Sequence, residues 1–369
     1  MGFFDDLQKK IASKAKGVHC SIMSESKIAT VSDWVKSPTY DLNRIISGDI
    51  YKALPTRQLL ALVGLEGTMK SSLMILLMAD AQKQGFRPII IDTERGITNE
   101  FCLRWGMDPT NAMYIYTPWE DEIRTILAQL KESGEEKMII GIDSIGGMDR
   151  IKVYEDAVKG DPKGDQGQLQ KAIKTDLKLL LNTCVMSNSI GIITAHQYPA
   201  MASVPMPDVI AGGRAVRLFP TIILQLKKHA IKDTDKTVTG QEITVTTLKN
   251  RLYPPFQDAV LNLDYNTGLE PHAGMLDLAI AAGILTKDGT WYMKGEEKFG
   301  YGPDRALKAL KELDGIFDEM NTWLTTTGYS TINENVKAAE ELVQKDIEED
   351  APETEVESTG TTKKLRKKK

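Results

Sequence analysis

Between residues 64 and 71 the chain reads Gly64-Leu65-Glu66-Gly67-Thr68-Met69-Lys70-Ser71, with Ser72 next. An apolar run, LLALV at 59–63, leads into it, and a stretch of helical period, SLMILLMADAQK, leads away. Strand, glycine-bearing loop and helix in that order make a phosphate cradle, because loop N–H groups and a helix N-terminus face the anion. Lys70 would neutralise β- and γ-phosphate charge, and the Ser71 hydroxyl would ligate Mg2+. Met69 stands where the pattern has glycine; a side chain is tolerated there if the backbone is helical and the side chain points away from the nucleotide.

Carboxylates follow at strand ends. MIIGIDS (138–144) is an apolar strand ending in Asp143, placed to hold Mg2+ or its water. IIIDTERG ends a strand at Asp92 and sets Glu94 two residues beyond. Hydrolysis of a γ-phosphate needs a base that orients and polarises water, and Glu94 is the candidate.

To bring these groups together the chain must fold as α/β. Strands are predicted at 59–63, 88–92, 113–116, 138–142, 190–194 and 221–226, with helices at 70–84, 119–132 and 166–187. Continuous apolar strands alternating with helices imply a mostly parallel, twisted sheet buried on both faces. Two later β-rich runs, 242–249 and 256–264, predict an antiparallel extension. The expected division is a helical or oligomerisation segment at 1–40, an ATPase core at 41–269, a small α+β domain at 270–330, and a helical end with a charged tail at 331–369. Apolar residues at helical spacing in 3–16 either pack on this subunit or dock on a neighbour. The tail, acidic and then KKLRKKK, has too little apolar surface to fold.

Composition narrows the classes. The 369 residues are 41% hydrophobic, with no apolar run of membrane length and no secretory core at the start. Cys20, Cys102 and Cys184 are scattered and odd in number, which predicts free thiols in a reducing cytosol. The four histidines lack zinc-site spacing. A net charge of −5 means that any nucleic-acid binding comes from local basic patches.

These motifs together resemble the RecA family, most closely its UvsX-type strand-exchange members, over about residues 42–315. The resemblance implies a RecA-like P-loop core and a nucleotide site of Gly64, Glu66, Gly67, Thr68, Met69, Lys70, Ser71, Ser72, Arg104 and Asp143, with Phe101 and Tyr265 near the base. In Ala195-His196-Gln197, His196 matches the family's γ-phosphate sensor, although Ala195 departs from its Asn. In TLKNR, Lys249 and Arg251 match cations that reach a neighbour's γ-phosphate in trans. GMLDLA (274–279) and GTWYMKGEEKFGYG (289–302) resemble the family's terminal domain, which ring helicases lack.

The function implied by this resemblance is that of an ATP- and Mg2+-dependent, DNA-stimulated ATPase. It would form a helical homo-oligomeric filament on single-stranded DNA, and search and exchange with double-stranded DNA. A single-strand-binding protein and a mediator are expected partners. The expected location is the cytoplasm, a host's if phage-encoded; the alternative is a hexameric RecA-fold helicase. Two long loops would hold DNA. One spans 146–166, with Arg150, Lys152, Lys159 and Lys163; the other spans 198–214, with Met201, Val204 and Met206, and leads to Gly212, Gly213, Arg214 and Arg217. Trp291, Tyr292, Lys294, Lys298, Lys308 and Lys311 would form a gateway for duplex.

Overall fold

LLALV, PIIID and MIIGID are apolar at nearly every position, and such strands are stable only when both faces are covered. The computed structural model, which describes residues 2–15, 18–26, 28–160, 167–198, 209–232, 238–265 and 268–328, covers them. An N-terminal helix α1 (Phe3–Lys14) precedes β1 (Trp34–Val35), α2 (Tyr40–Ser47) and β2 (Leu54–Pro55). The core continues through β3 (Gln58–Gly64), α3 (Lys70–Lys83), β4 (Arg87–Asp92), α4 (Asn99–Arg104), β5 (Met113–Tyr116), α5 (Glu120–Glu132) and β6 (Met138–Asp143). Then come α6 (Ile151–Val158), α7 (Gln168–Met186), β7 (Ile190–Tyr198), β8 (Val209–Ile210), α8 (Arg214–Leu218), β9 (Ile222–Lys232), β10 (Val238–Asn250), β11 (Asp258–Asp264) and β12 (Gly268–Leu269).

Among the described residues the main sheet runs β12-β11-β10-β9-β3-β7-β6-β4-β5, with β8 beside the end of β7. From β9 to β5 neighbours are parallel. β10, β11 and β12 add antiparallel, as the two late β-rich runs predict. Side chains alternate across the sheet. Leu60, Leu62, Ile90, Ile192 and Leu224 pack with Met74, Leu77 and Met78 of α3. Leu59, Ala61, Val63, Ile91 and Ile142 pack instead with Leu127 of α5 and Leu177 and Leu180 of α7. Each such aliphatic side chain contributes about 1.5–3 kcal/mol by leaving water. Gly141 lets α3 lie close on β6, since a Cβ there would sit 2.7 Å from the Met78 sulfur.

The C-terminal part holds α9 (Met275–Ala281), β13 (Thr286–Asp288), β14 (Trp291–Lys294), β15 (Glu297–Tyr301), α10 (Gly302–Lys311) and α11 (Ile316–Trp323). It has its own core of Met275, Tyr292, Leu310 and Met320, which Ile50 of the large domain enters. The Ile50 N–H donates to Asn321 Oδ1 at 2.9 Å, and the Tyr51 hydroxyl donates to Asp318 at 2.6 Å. Helix α1 buries none of its side chains.

The first expected DNA loop is partly helical: a 3-10 turn at Ile145–Gly147 and α6 occupy much of 146–166. Tyr154 of α6 packs its ring 5.3 Å from Trp119, an attachment that the glycines and lysines nearby in sequence conceal. Lys163, the apolar residues Met201, Val204 and Met206, and the tail with Lys363–Lys369 lie outside the described residues. No described helix is long and apolar enough to cross a membrane.

Candidate nucleotide site

Register alone assembles this site. Gly64 of β3 pairs with His196 of β7, and Asp92 of β4 pairs with Asp143 of β6, so four strands end together. In open parallel sheets that carboxyl edge is where ligands bind. Here it forms a cavity of about 380 Å3 lined by residues 66–72, Glu94, Gly96, Phe101, Asp143, His196 and Gln241.

The loop after β3 turns tightly. A Cβ on Gly64 would lie 2.6 Å from the Leu226 carbonyl oxygen, and Gly67 is left-handed at φ 67°. Thr68 Oγ1 donates to the Leu65 carbonyl at 2.8 Å, closing the loop on itself. The condition set for a side chain at Met69, a helical backbone, is not met. Met69 is left-handed, at φ 66° and ψ 23°, and is the N-cap of α3. This is why the pattern favours glycine here: a left-handed residue with a Cβ costs about 1–2 kcal/mol. The Met69 side chain packs partly into the α3-side core.

Lys70 is only 6% exposed, and its Nζ donates to the carbonyls of Gly64 (3.1 Å) and Leu65 (2.8 Å). Burial lowers its pKa, with Asp143, Glu94 and Glu66 opposing that shift. Asp143, 5% exposed, accepts from the Thr194 and Ser71 hydroxyls. Burial raises its pKa and the two hydroxyls hold it down. A buried carboxylate beside a serine hydroxyl is a hard oxygen donor set in need of a cation. It fits Mg2+, which takes one or two protein oxygens together with phosphate.

Asp92 turns out to be scaffold. Its carboxylate accepts the N–H groups of Glu94 (3.0 Å), Arg95 (2.7 Å) and Ile97 (3.0 Å) and the Tyr114 hydroxyl (3.1 Å). That fixes the loop from which Glu94 projects. Glu94 Oε1 accepts from the Ser144 hydroxyl and lies 3.3 Å from His196 Nε2. Gly147 makes room for it, since a Cβ there would come within 2.9 Å of Glu94 Cγ. Sequence reasoning missed Ser144, Thr194 and Gln241. Thr194 was within reach, because strand alternation places it on the same face as His196. Ala195 and Gln197 face the other way: Ala195 is core, and Gln197 accepts from Gln225 Nε2 at 2.9 Å.

A second cavity continues past Met69 and Ser72 to Arg104, Trp105, Gln241 and Tyr265. Phe101 lines the first cavity and Tyr265 the second, and Met69, Ser72 and Gln241 line both. Gln241 Nε2 donates to the Tyr265 hydroxyl at 2.8 Å.

Lys249 and Arg251 are elsewhere. Lys249 pairs with Ile223, three residues before Leu226, which pairs with Gly64. Lys249 Nζ donates to the carbonyls of Arg217 and Leu218, both at 2.9 Å, and Arg251 Nη2 donates to Leu218 at 3.3 Å. Both cations therefore cap the C-terminal end of α8. Burial and then Arg251 lower the Lys249 pKa to about 8.

Of the expected DNA contacts, Arg214 and Arg217 are exposed on α8, just after left-handed Gly212 and Gly213. Lys159 is exposed, 3.5 Å from Glu155. Arg150 is engaged inward: its Nε lies 3.5 Å from buried Glu120, which also pairs with Arg124. The long loop leaves at Tyr198 and returns at Val209, and these two residues pair across β7 and β8.

A family profile described as the RecA N-terminal domain matches residues 17–270, and one described as the RecA C-terminal domain matches 273–326. Protein RecA of Chlorobium limicola is 29% identical over 271 residues, covering 72% of this chain and 75% of that protein. Protein RecA of Aquifex aeolicus is 26% identical over 303 residues, 81% of this chain and 83% of the relative. Protein RecA of Thermus thermophilus is 27% identical over 274 residues, 73% and 78% respectively. None of these matches favours a ring helicase.

Proposed function

The chain belongs to the RecA family of ATP-dependent recombinases, and on that premise we propose that it is a DNA-dependent ATPase whose ATP lies between adjacent protomers of a filament on single-stranded DNA. One observation carries the shared site. Lys70, Ser71, Glu94, Asp143 and His196 gather in one cavity, while Lys249 and Arg251 sit on α8, about 10 Å back along the strands. Two cations so placed serve a neighbour's phosphates better than their own.

In this reading the 64–71 loop and Lys70 hold the phosphates, and Phe101, Arg104 and Tyr265 hold the nucleoside. Asp143 and Ser71 would hold Mg2+, which would supply charge neutralisation at the phosphate oxygens. Glu94, steadied by Ser144 and His196, orients the attacking water and takes its proton. Lys249 and Arg251 of the next protomer stabilise charge on the transferred phosphoryl group. ATP then bridges protomers and favours the assembled form by mass action; hydrolysis removes the bridge.

His196 also touches the DNA loop. Its backbone carbonyl accepts the Ala211 N–H at 2.8 Å, so one residue meets Glu94 on one side and the returning loop on the other. Gly212, Gly213, Arg214, Arg217, Lys159 and Lys163 would contact the phosphates of single-stranded DNA, with Arg150 released from Glu120 to join them. Apolar residues of 198–210 would separate bases. Homology is then read by base pairing with duplex DNA, with a single-strand-binding protein and a mediator assisting loading. The exposed face of α1 docks on a neighbouring protomer. The testing experiment is ATP turnover with and without single-stranded DNA, in the wild type and in Lys70→Ala. DNA-stimulated turnover in the first and none in the second is expected; turnover that persists in Lys70→Ala overturns the reading.

A further inference from the structure

β9 does more than support β3. Its residues Ile222, Leu224 and Leu226 alternate onto the α3 face of the sheet, and Leu226 pairs with Gly64 at the start of the phosphate loop. Two residues further on, the same alternation sets Lys228 over that loop. A Cβ built on Gly67 would lie 2.8 Å from Lys228 Nζ and 3.9 Å from its Cε. The ammonium therefore rests against the backbone of Gly67, where a side chain would displace it.

We infer that Lys228 is a second in-chain counter-charge of the nucleotide site, binding the phosphate chain of a nucleoside triphosphate or diphosphate beside Lys70. The inference rests on the nucleotide reading above. Among the described residues Lys228 has no hydrogen-bond or ion-pair partner, whereas Lys70 gives two donors to loop carbonyls. Burial chiefly, and the Lys228 charge after it, lower the proton affinity of Lys70, so the two side chains lie within electrostatic reach. Two cations converging on a glycine-rich loop repel until an anion lies between them. A triphosphate with one Mg2+ keeps more negative charge than one lysine cancels. Lys227, next in the chain, alternates to the opposite face and shares none of this.

Full-length wild type, Lys228→Gln, Lys228→Arg and Lys70→Ala are titrated with Mg·ATP and Mg·ADP by calorimetry without DNA. Single-stranded DNA is titrated separately without nucleotide. Lys228 is exposed, so its variants are expected to melt with the wild type. The expected result is that Lys228→Gln weakens both nucleotides about three- to tenfold, the range for a partly exposed charge contact. Lys228→Arg should stay close to wild type, and DNA affinity without nucleotide should not change. Unchanged nucleotide affinity in Lys228→Gln overturns the inference; if DNA affinity falls instead, Lys228 belongs to the DNA surface. Loss of nucleotide binding in Lys70→Ala alone leaves the phosphate-loop reading standing while this one fails. No binding of Mg·ATP by wild type removes both.

Discussion

Glu94 is the residue on which turnover depends in the proposed reading, and its surroundings suit that role. An exposed glutamate on a loop would swing freely; here Ser144 and His196 both hold its Oε1, and Asp92 fixes the backbone beneath it. Glu94→Gln keeps the shape and removes the base, so turnover should fall by about 10²–10⁴ with ATP affinity retained, which kcat and a binding isotherm separate. Met69 tests the backbone. Met69→Ile puts a β-branched side chain at φ 66° and should lower stability by about 1–2 kcal/mol, whereas Met69→Gly should match or exceed the wild type in thermal melts. Lys70 and Ser71 after β3, and Asp143 at the end of β6, were legible in the sequence because each belongs to a pattern local to its own strand end. Ser144 was not, since Glu94 is 50 residues away and meets it only through strand register; alternation put Thr194 on the face of His196, but its bond to Asp143 also depends on that register.

At the scale of elements, the alternation of apolar strands with helices showed the parallel sheet and its antiparallel extension, because burial on both faces leaves a continuous apolar run. The 145–158 segment was harder to read: its helix is held by Trp119 and Glu120, which no local pattern reveals. A neighbouring contact, Arg124 with Asp176, binds α5 to α7. Asp176 accepts from Arg124 Nε at 2.8 Å, yet burial outweighs that cation and pushes its pKa to about 7. A carboxyl raised on folding contributes stability that is fully present below its unfolded value near 3.8 and is lost as pH rises through about 7. In urea melts at pH 5 and pH 8, the pH 5 advantage of wild type should shrink in Asp176→Asn. Lys249, lowered to about 8, works in the other direction for function: its charge is lost as pH rises past that value. ATP-dependent assembly should therefore weaken in mildly alkaline buffer, and Lys249→Arg, whose guanidinium stays charged, should resist that loss when followed by light scattering.

At the scale of the whole molecule, the phosphate cavity and the Lys249–Arg251 pair, which caps α8 from the end of β10, are in the proposed reading two halves of one site. A contact between unlike faces generates a helical polymer when its rotation does not close, and a ring when it does. Helix α1, with no buried side chain and with Phe3 and Phe4 exposed, is the surface that docks on a neighbour in the proposed reading. Sharing of the site is best tested by mixing two crippled proteins. Lys70→Ala has a damaged cavity and intact α8 cations; Arg251→Ala has the reverse. Each alone should show little DNA-stimulated ATP turnover, but a one-to-one mixture on single-stranded DNA should recover roughly a quarter of the wild-type rate, since about one interface in four pairs the two intact halves. A mixture no more active than the average of its parts would contradict a nucleotide shared between protomers.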